Sequence, residues 1–230
     1  MQILPRALST FQKYENCRDQ IQDGDVIAFS GNDIFPCVIK QATNSNYSHV
    51  GIVLDVEMGG GFGKSVLIIE SNIEVKQRDA NNQDVIKGVQ IHWLSKRLEM
   101  YDGDVWWVPL QHKLPQKGLL KMQAWLRETH NQKVPYDFVQ VCGASLDLFD
   151  AFGFENKQDF SSLFCSELVT KALQEAGVIS DEVNPSEQTP QDVVTFDCFK
   201  EPVLLKKSEP NEVNKQKEEK YQYFTGDFVV

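Results

Sequence analysis

The chain has 230 residues, 41% hydrophobic and 24% charged, a globular composition with length for one elaborated domain or two small ones. With 23 Lys and Arg against 33 Asp and Glu the formal net charge is −10, which disfavours a nucleic-acid backbone or an anionic membrane as partner. No stretch approaches the roughly 20 apolar residues of a membrane-spanning helix, and MQILPRALSTFQKYENC lacks the apolar centre of a secretory signal. The five cysteines (Cys17, Cys37, Cys142, Cys165, Cys198) are scattered and form no CxxC pair. Free thiols suit a reducing compartment, so a cytoplasmic location is expected.

Residues 1–22 read as an amphipathic lead-in, and DGDVIAFSG (23–31) as turn residues followed by a buried strand. A short helix is expected between Phe35 and Ala42. SHVGIVLDV (48–56) and SVLIIES (65–71) flank a four-glycine turn and predict a hairpin. Short strands follow at 88–93 and 104–110. After Pro115 the period becomes helical, with Leu119, Met122, Trp125 and Leu126 on one stripe and Pro135 as the expected stop. A second helix is expected within 137–151. A third is expected from about Leu163 to Ala176, burying Leu168, Val169, Ala172, Leu173 and Ala176 and stopped by Gly177. The piece 206–222 holds five Lys and four Glu and almost nothing apolar, a solvated tail, although the final YFTGDFVV has the pattern of a docking strand. This divides the chain into a domain over 1–205 and a tail over 206–230.

Several motifs lead nowhere. GGGFGKS (59–65) resembles a phosphate loop, but the required first glycine is Met58 and a strand follows, not a helix. His49, His92, His112 and His130 form no metal-binding motif with each other or with a cysteine, so neither metal nor cofactor is expected. No GxSxG elbow is present.

Cys165, in SSLFCSELV, falls in the first turn of the third expected helix, with Ser161 or Ser162 as N-cap, where the helix dipole favours a thiolate. It also shares a stripe with Val169 and Ala172, and free cysteines are commonly buried core residues. Two further residues bear on the choice. A symmetric hairpin across the glycine turn pairs residues whose numbers sum to about 121, setting Gly51 opposite Glu70. His49 and Glu70 then become diagonal neighbours on one face, roughly 7–8 Å apart at the backbone, within reach of a glutamate. Glu70 either fixes the imidazole tautomer or merely ends a strand. Gly51 leaves room for another element to approach, such as the helix carrying Cys165. Thiol, imidazole and carboxylate together make the nucleophile, base and orienter of a cysteine hydrolase.

YSHVGIV, the IIES strand, VPYDF and FCSELV together resemble the NlpC/P60 superfamily of papain-like cysteine peptidases and amidases, over about residues 23–195. The order His49, Glu70, Cys165 reverses the usual one, so the chain is similar to the circularly permuted, YiiX/YebB-like branch. Lecithin retinol acyltransferase-like proteins are more distant relatives. The resemblance implies an α+β, papain-like fold in which an antiparallel sheet or small barrel packs against the helix carrying the cysteine. It implies Cys165 as nucleophile, His49 as general base and Glu70 as the polar third member. Asp25 and Tyr136 match positions near the cleft, and Tyr47 flanks the base; a turn aspartate and packed aromatics are the equally good alternatives.

The expected reaction is hydrolysis of an amide, peptide or isopeptide bond through an acyl-thioester, with the Cys165 amide as one oxyanion donor. Expected substrates are a small peptide, an amino-acid amide or a cell-wall peptide, with no nucleic acid and no transmembrane segment. The alternatives are a lipid or thioester acyl hydrolase or acyltransferase on the same thiol, or a non-catalytic peptide-binding module.

Overall fold

The two segments flanking the glycine turn form the centre of the structure. In the computed structural model, which describes residues 12–31, 45–57, 64–72, 79–80, 88–132 and 161–208, strand β1 is Val26–Gly31, β2 is His49–Glu57 and β3 is Lys64–Asn72. Strands β2 and β3 pair antiparallel with Ile52 opposite Ile69 and Leu54 opposite Leu67. This is the register a symmetric hairpin demands. Strand β1 pairs on the other side of β2 and sets Phe29 opposite His49.

Strands β4 (Gly88–Trp93), β5 (Gly103–Val108) and β6 (Val203–Lys206) complete an antiparallel six-stranded sheet in the order β4-β3-β2-β1-β5-β6. The architecture of the described residues is α+β. The expected helices at 35–42 and 137–151 and the terminal YFTGDFVV lie outside them.

Both faces of the sheet are covered, which is why β1 is buried along its whole length and opens on a continuous apolar run, Val26–Phe29, rather than alternating. On one face Ala28, Val50, Ile52, Leu54 and Ile69 pack against two of the helices. Following α1 (Tyr14–Cys17) and α2 (Leu94–Met100), these are α3 (Gln116–Asn131) and α4 (Ser161–Glu175). Helix α4 buries Leu168, Val169, Ala172, Leu173 and Ala176, the stripe its spacing predicts. It ends on Gly177 at φ +70, with Val178 N–H donating to Leu173 O and Gly177 N–H to Gln174 O, a Schellman closure. On the other face Ile27, Phe29, Val53, Val66 and Ile68 meet α1 and α2 through Cys17, Leu94 and Leu98.

Three elements depart from the sequence reading. Helix α3 stops at Asn131, short of Pro135, with the Gln132 amide closing onto Glu128 O. Helix α2, two turns of LSKRLEM, has too short a periodic pattern to stand out from its surroundings. Strand β6 carries the fold through Lys206, whose Nζ donates to Leu98 O at 2.7 Å, so the sheet takes in a lysine that composition groups with the tail.

Asp25 serves the fold rather than the neighbourhood of His49. It lies one residue before β1, fully buried, and its Oδ2 accepts from Gln22 N (2.9 Å) and Trp107 Nε1 (2.8 Å) while Oδ1 accepts from Leu110 N (2.9 Å). Four residues separate it from Phe29, the partner of His49, or about 13 Å along the strand. Replacing it by alanine strands three donors. Asp25→Ala is expected to cost about 2–4 kcal/mol in urea denaturation; a loss below about 0.5 kcal/mol would show that these bonds are dispensable.

Candidate functional site

His49 is the first residue of β2, and Glu70 lies near the end of β3. The hairpin register makes them diagonal neighbours, and the side chains meet: His49 Nε2 is 2.6 Å from Glu70 Oε2. Arg97, from α2, grips the same carboxylate, its Nε donating to Oε1 at 2.7 Å and its Nη2 to Oε2 at 3.3 Å. On β4, His92 Nε2 lies 3.8 Å from Glu70 Oε1 and 2.8 Å from Gln90 Oε1. The guanidinium sits over the Phe29 ring at 4.9 Å and the Tyr101 ring at 5.1 Å, and Phe29 in turn lies 5.5 Å from the His49 ring.

The Cys165 side chain interacts with the His49 ring and helps to hold a proton on it. The sulfur belongs to the helix-side core with Val50, Ile52 and Val169, whereas Arg97 is stacked on Phe29 of the opposite layer. The imidazole, on the residue that opens β2, is the group both layers reach. With Nε2 held by Glu70, Nδ1 is the nitrogen left for the thiol. The His49 side chain is 12% exposed, while Cys165 is fully buried.

Charge follows from these contacts. Burial works to raise the pKa of Glu70, but the charge of Arg97, the hydrogen bond and charge of His49 and the charge of His92 hold it well below the usual carboxylate range. Burial works to lower the pKa of His49. The charge of Cys165 and its hydrogen bond, followed by the hydrogen bond and charge of Glu70, overcome this and raise it to about 10. At neutral pH the ring is therefore an imidazolium set between a sulfur and a carboxylate.

The remaining expected site residues fall as follows. Tyr47 is buried in the core layer that contains Cys165, edge-on to Trp106 with centroids 5.1 Å apart. It packs there and does not line an open wall. Tyr136 lies outside the described residues. Helix α4 opens at Ser161, so Cys165 sits in the second turn, where its amide is in position for the i−4 bond to Ser161 and is not an end-of-helix donor. The expected first-turn placement, with a serine N-cap and an oxyanion donor at Cys165, is corrected accordingly. Gly51 makes room for β3: a Cβ there would stand 2.6 Å from Ile68 Cδ1 and 3.1 Å from Ile69 O.

Sequence reasoning missed Arg97 and His92. Arg97 shares a helix face with Leu94 and Leu98, but that face is defined only once α2 is in place. Among the described residues no group of three or more His, Cys, Asp or Glu is arranged to hold a metal ion, and no helix is long and apolar enough to cross a membrane.

No protein-family model matches the chain, and no curated protein matches it. Among solved structures, a similar one is the Escherichia coli O157:H7 protein described as metalloprotein yiiX, DUF1105. It is 20% identical, with 80% of this chain and 89% of that chain covered, at a TM-score of 0.45.

Glu70 supports the fold as well as the ring. Because its folded pKa is depressed, its contribution to stability is present above the ordinary 4.5 and is lost as pH falls below it. Glu70→Gln is expected to lose about 3–5 kcal/mol at pH 7, because it leaves Arg97 buried without its counter-charge. Its stability should also fall less steeply than that of the parent protein below pH 4.5. Denaturant titrations of both proteins at neutral and acid pH check this; parallel acid losses would contradict it.

Proposed function

We propose that the chain is a cysteine hydrolase with a circularly permuted, papain-like arrangement of the NlpC/P60 type, cleaving an amide, peptide or isopeptide bond. The observation that carries the reading is the 2.6 Å contact between His49 Nε2 and Glu70 Oε2, with the Cys165 side chain acting on the same ring. A nucleophile, a proton carrier and an orienting acid in that order are what acyl transfer through a thiol requires.

The steps follow from the atoms. The Cys165 sulfur adds to the substrate carbonyl carbon, and the pair of electrons released from the π bond rests on the oxygen. As the carbonyl re-forms, the C–N bond breaks and the His49 imidazolium gives its proton to the departing amine. Neutral His49 then takes a proton from water, the hydroxide adds to the thioester, and C–S cleavage returns the thiolate and the acid. Glu70, on Nε2, holds the ring and leaves Nδ1 as the nitrogen for proton transfer. A small peptide, an amino-acid amide or a cell-wall peptide is the substrate class we assign. The free thiols Cys17, Cys165 and Cys198 suit a reducing, cytoplasmic setting.

One observation favours a second reading. Cys165 is fully buried, as in a scaffold that only binds a peptide, and turnover requires an opening that uncovers the sulfur. The two readings separate on activity. Incubated with a panel of peptide amides and, in parallel, an acyl lipid, the parent protein should release amine from the amides, and Cys165→Ala should lose this while unfolding at an unchanged denaturant midpoint. Undiminished turnover by Cys165→Ala would exclude the thiol mechanism, and acyl release from the lipid alone would reassign the substrate.

A second expectation concerns pH. Loss of the His49 proton removes the acid for the leaving amine, so kcat/KM should fall as pH rises through about 10. In Glu70→Gln the negative charge that helps to raise the His49 pKa is gone, and this alkaline limb should move to lower pH. An unmoved limb would mean that Glu70 does not govern the ring.

A further inference from the structure

The shortest contact in the site, 2.6 Å between His49 Nε2 and Glu70 Oε2, holds one proton between two bases, and which base owns it decides what the ring can do. If Glu70 is ionised it is acceptor only, so Nε2 keeps its hydrogen both in the imidazolium and in the neutral ring left once Nδ1 has given up its proton, whose lone pair is then on Nδ1. If Glu70 is protonated it donates to Nε2, a neutral ring must carry its hydrogen on Nδ1, and it then faces the thiol with no lone pair to accept the sulfur's proton. Buried carboxylates commonly take the second state, because removing a charge from water costs more than protonating it.

Glu70 is fully buried, and among the described residues one permanent cation, Arg97, lies against it. Arg97 donates to both carboxylate oxygens, including the Oε2 that His49 engages. Both donations withdraw charge from the oxygens and oppose their protonation, and a guanidinium cannot give up its own proton in exchange. Groups facing Glu70 from the other strands are titratable or neutral: His49 on β2, and His92 and Gln90 on β4. His49 itself meets Cys165 from α4 and the Phe29 ring from β1. The stack over Phe29 and Tyr101 fixes the plane of the guanidinium, so the fork is held in place before any substrate arrives.

We propose that Arg97 is a positioning residue that fixes the shared proton on His49 Nε2 and so keeps Nδ1 available to the Cys165 thiol. Its role in catalysis rests on the hydrolase reading above; its effect on the proton does not, and the test is chosen to keep the two apart. In protein labelled at the glutamate carboxyl carbon, with the Glu70 signal assigned by its loss in Glu70→Gln, the carboxyl titration is followed by NMR together with the ring nitrogens of His49. The parent protein should show Glu70 ionised and Nε2 protonated at pH 7. In Arg97→Met the Glu70 midpoint should rise by about 1–3 pH units, with Nε2 losing proton character over the same range. Arg97→Lys, which restores the charge without the fork, should bring the midpoint back most of the way. Should Arg97→Met fail to fold, Arg97→Gln carries the same expectation. A folded neutral variant with an unmoved Glu70 midpoint and an unchanged Nε2 signal, destabilised or not, would overturn the proposal and leave Arg97 a purely structural ion pair. Because neither signal depends on turnover, inactivity of the parent protein would defeat the hydrolase reading without touching this one.

Discussion

One buried carboxylate sets the terms for the rest of this structure. Taking the charge of Glu70 out of water costs several kcal/mol unless cations and donors meet it, and three elements are committed to doing so: β2 through His49, α2 through Arg97 and β4 through His92. The constraint reaches the strand register. A one-residue slip of β3 against β2 would turn Glu70 to the opposite face and present Ile69 to the imidazole, so the apolar alternation that builds the core also aligns the site. It reaches α2 as well, whose Arg97 is buried beside Leu94 and Leu98 with its charge spread over two aromatic rings.

The two core layers contribute different chemistry. The helix-side layer brings the sulfur on α4, and the opposite layer brings the carboxylate and its arginine. His49 joins them because it stands at the first residue of β2, and its partly exposed ring is the point where this chain meets solvent. The imidazole is thus the more accessible of the two groups, and the sulfur is fully buried. On the proposed hydrolase reading, the place of Cys165 in the second turn of α4 removes its own amide from the donors available to an oxyanion.

What the sequence made legible follows from how local each signal is. The hairpin register could be read because the turn is glycine-rich and the flanking runs are nearly equal, and from it the His49–Glu70 contact followed. The buried stripe of α4 could be read because five apolar residues recur at helical spacing. Arg97 could not, since LSKRLEM also carries the exposed pair Lys96 and Glu99 and looks like an ordinary surface turn. Only the tertiary position of α2 shows that one of its cations faces inward. The choice between the two readings of Asp25 could not be made locally: its partners Trp107 and Leu110 lie far along the chain, and nothing local distinguishes a cleft aspartate from one that ties strand ends together. Gly51 was correctly read as a close approach, but to Ile68 of the neighbouring strand and not to a helix.

The central claim is that an imidazolium held by Glu70 keeps the Cys165 sulfur ready to act as a nucleophile. The rate of Cys165 alkylation by iodoacetamide, followed by mass spectrometry across pH and compared with a free model thiol of pKa about 8.5, tests it most directly. The account predicts a Cys165 reaction that depends on the His49 ring and is lost in His49→Asn. A rate that follows the model thiol and is unchanged in His49→Asn would contradict it.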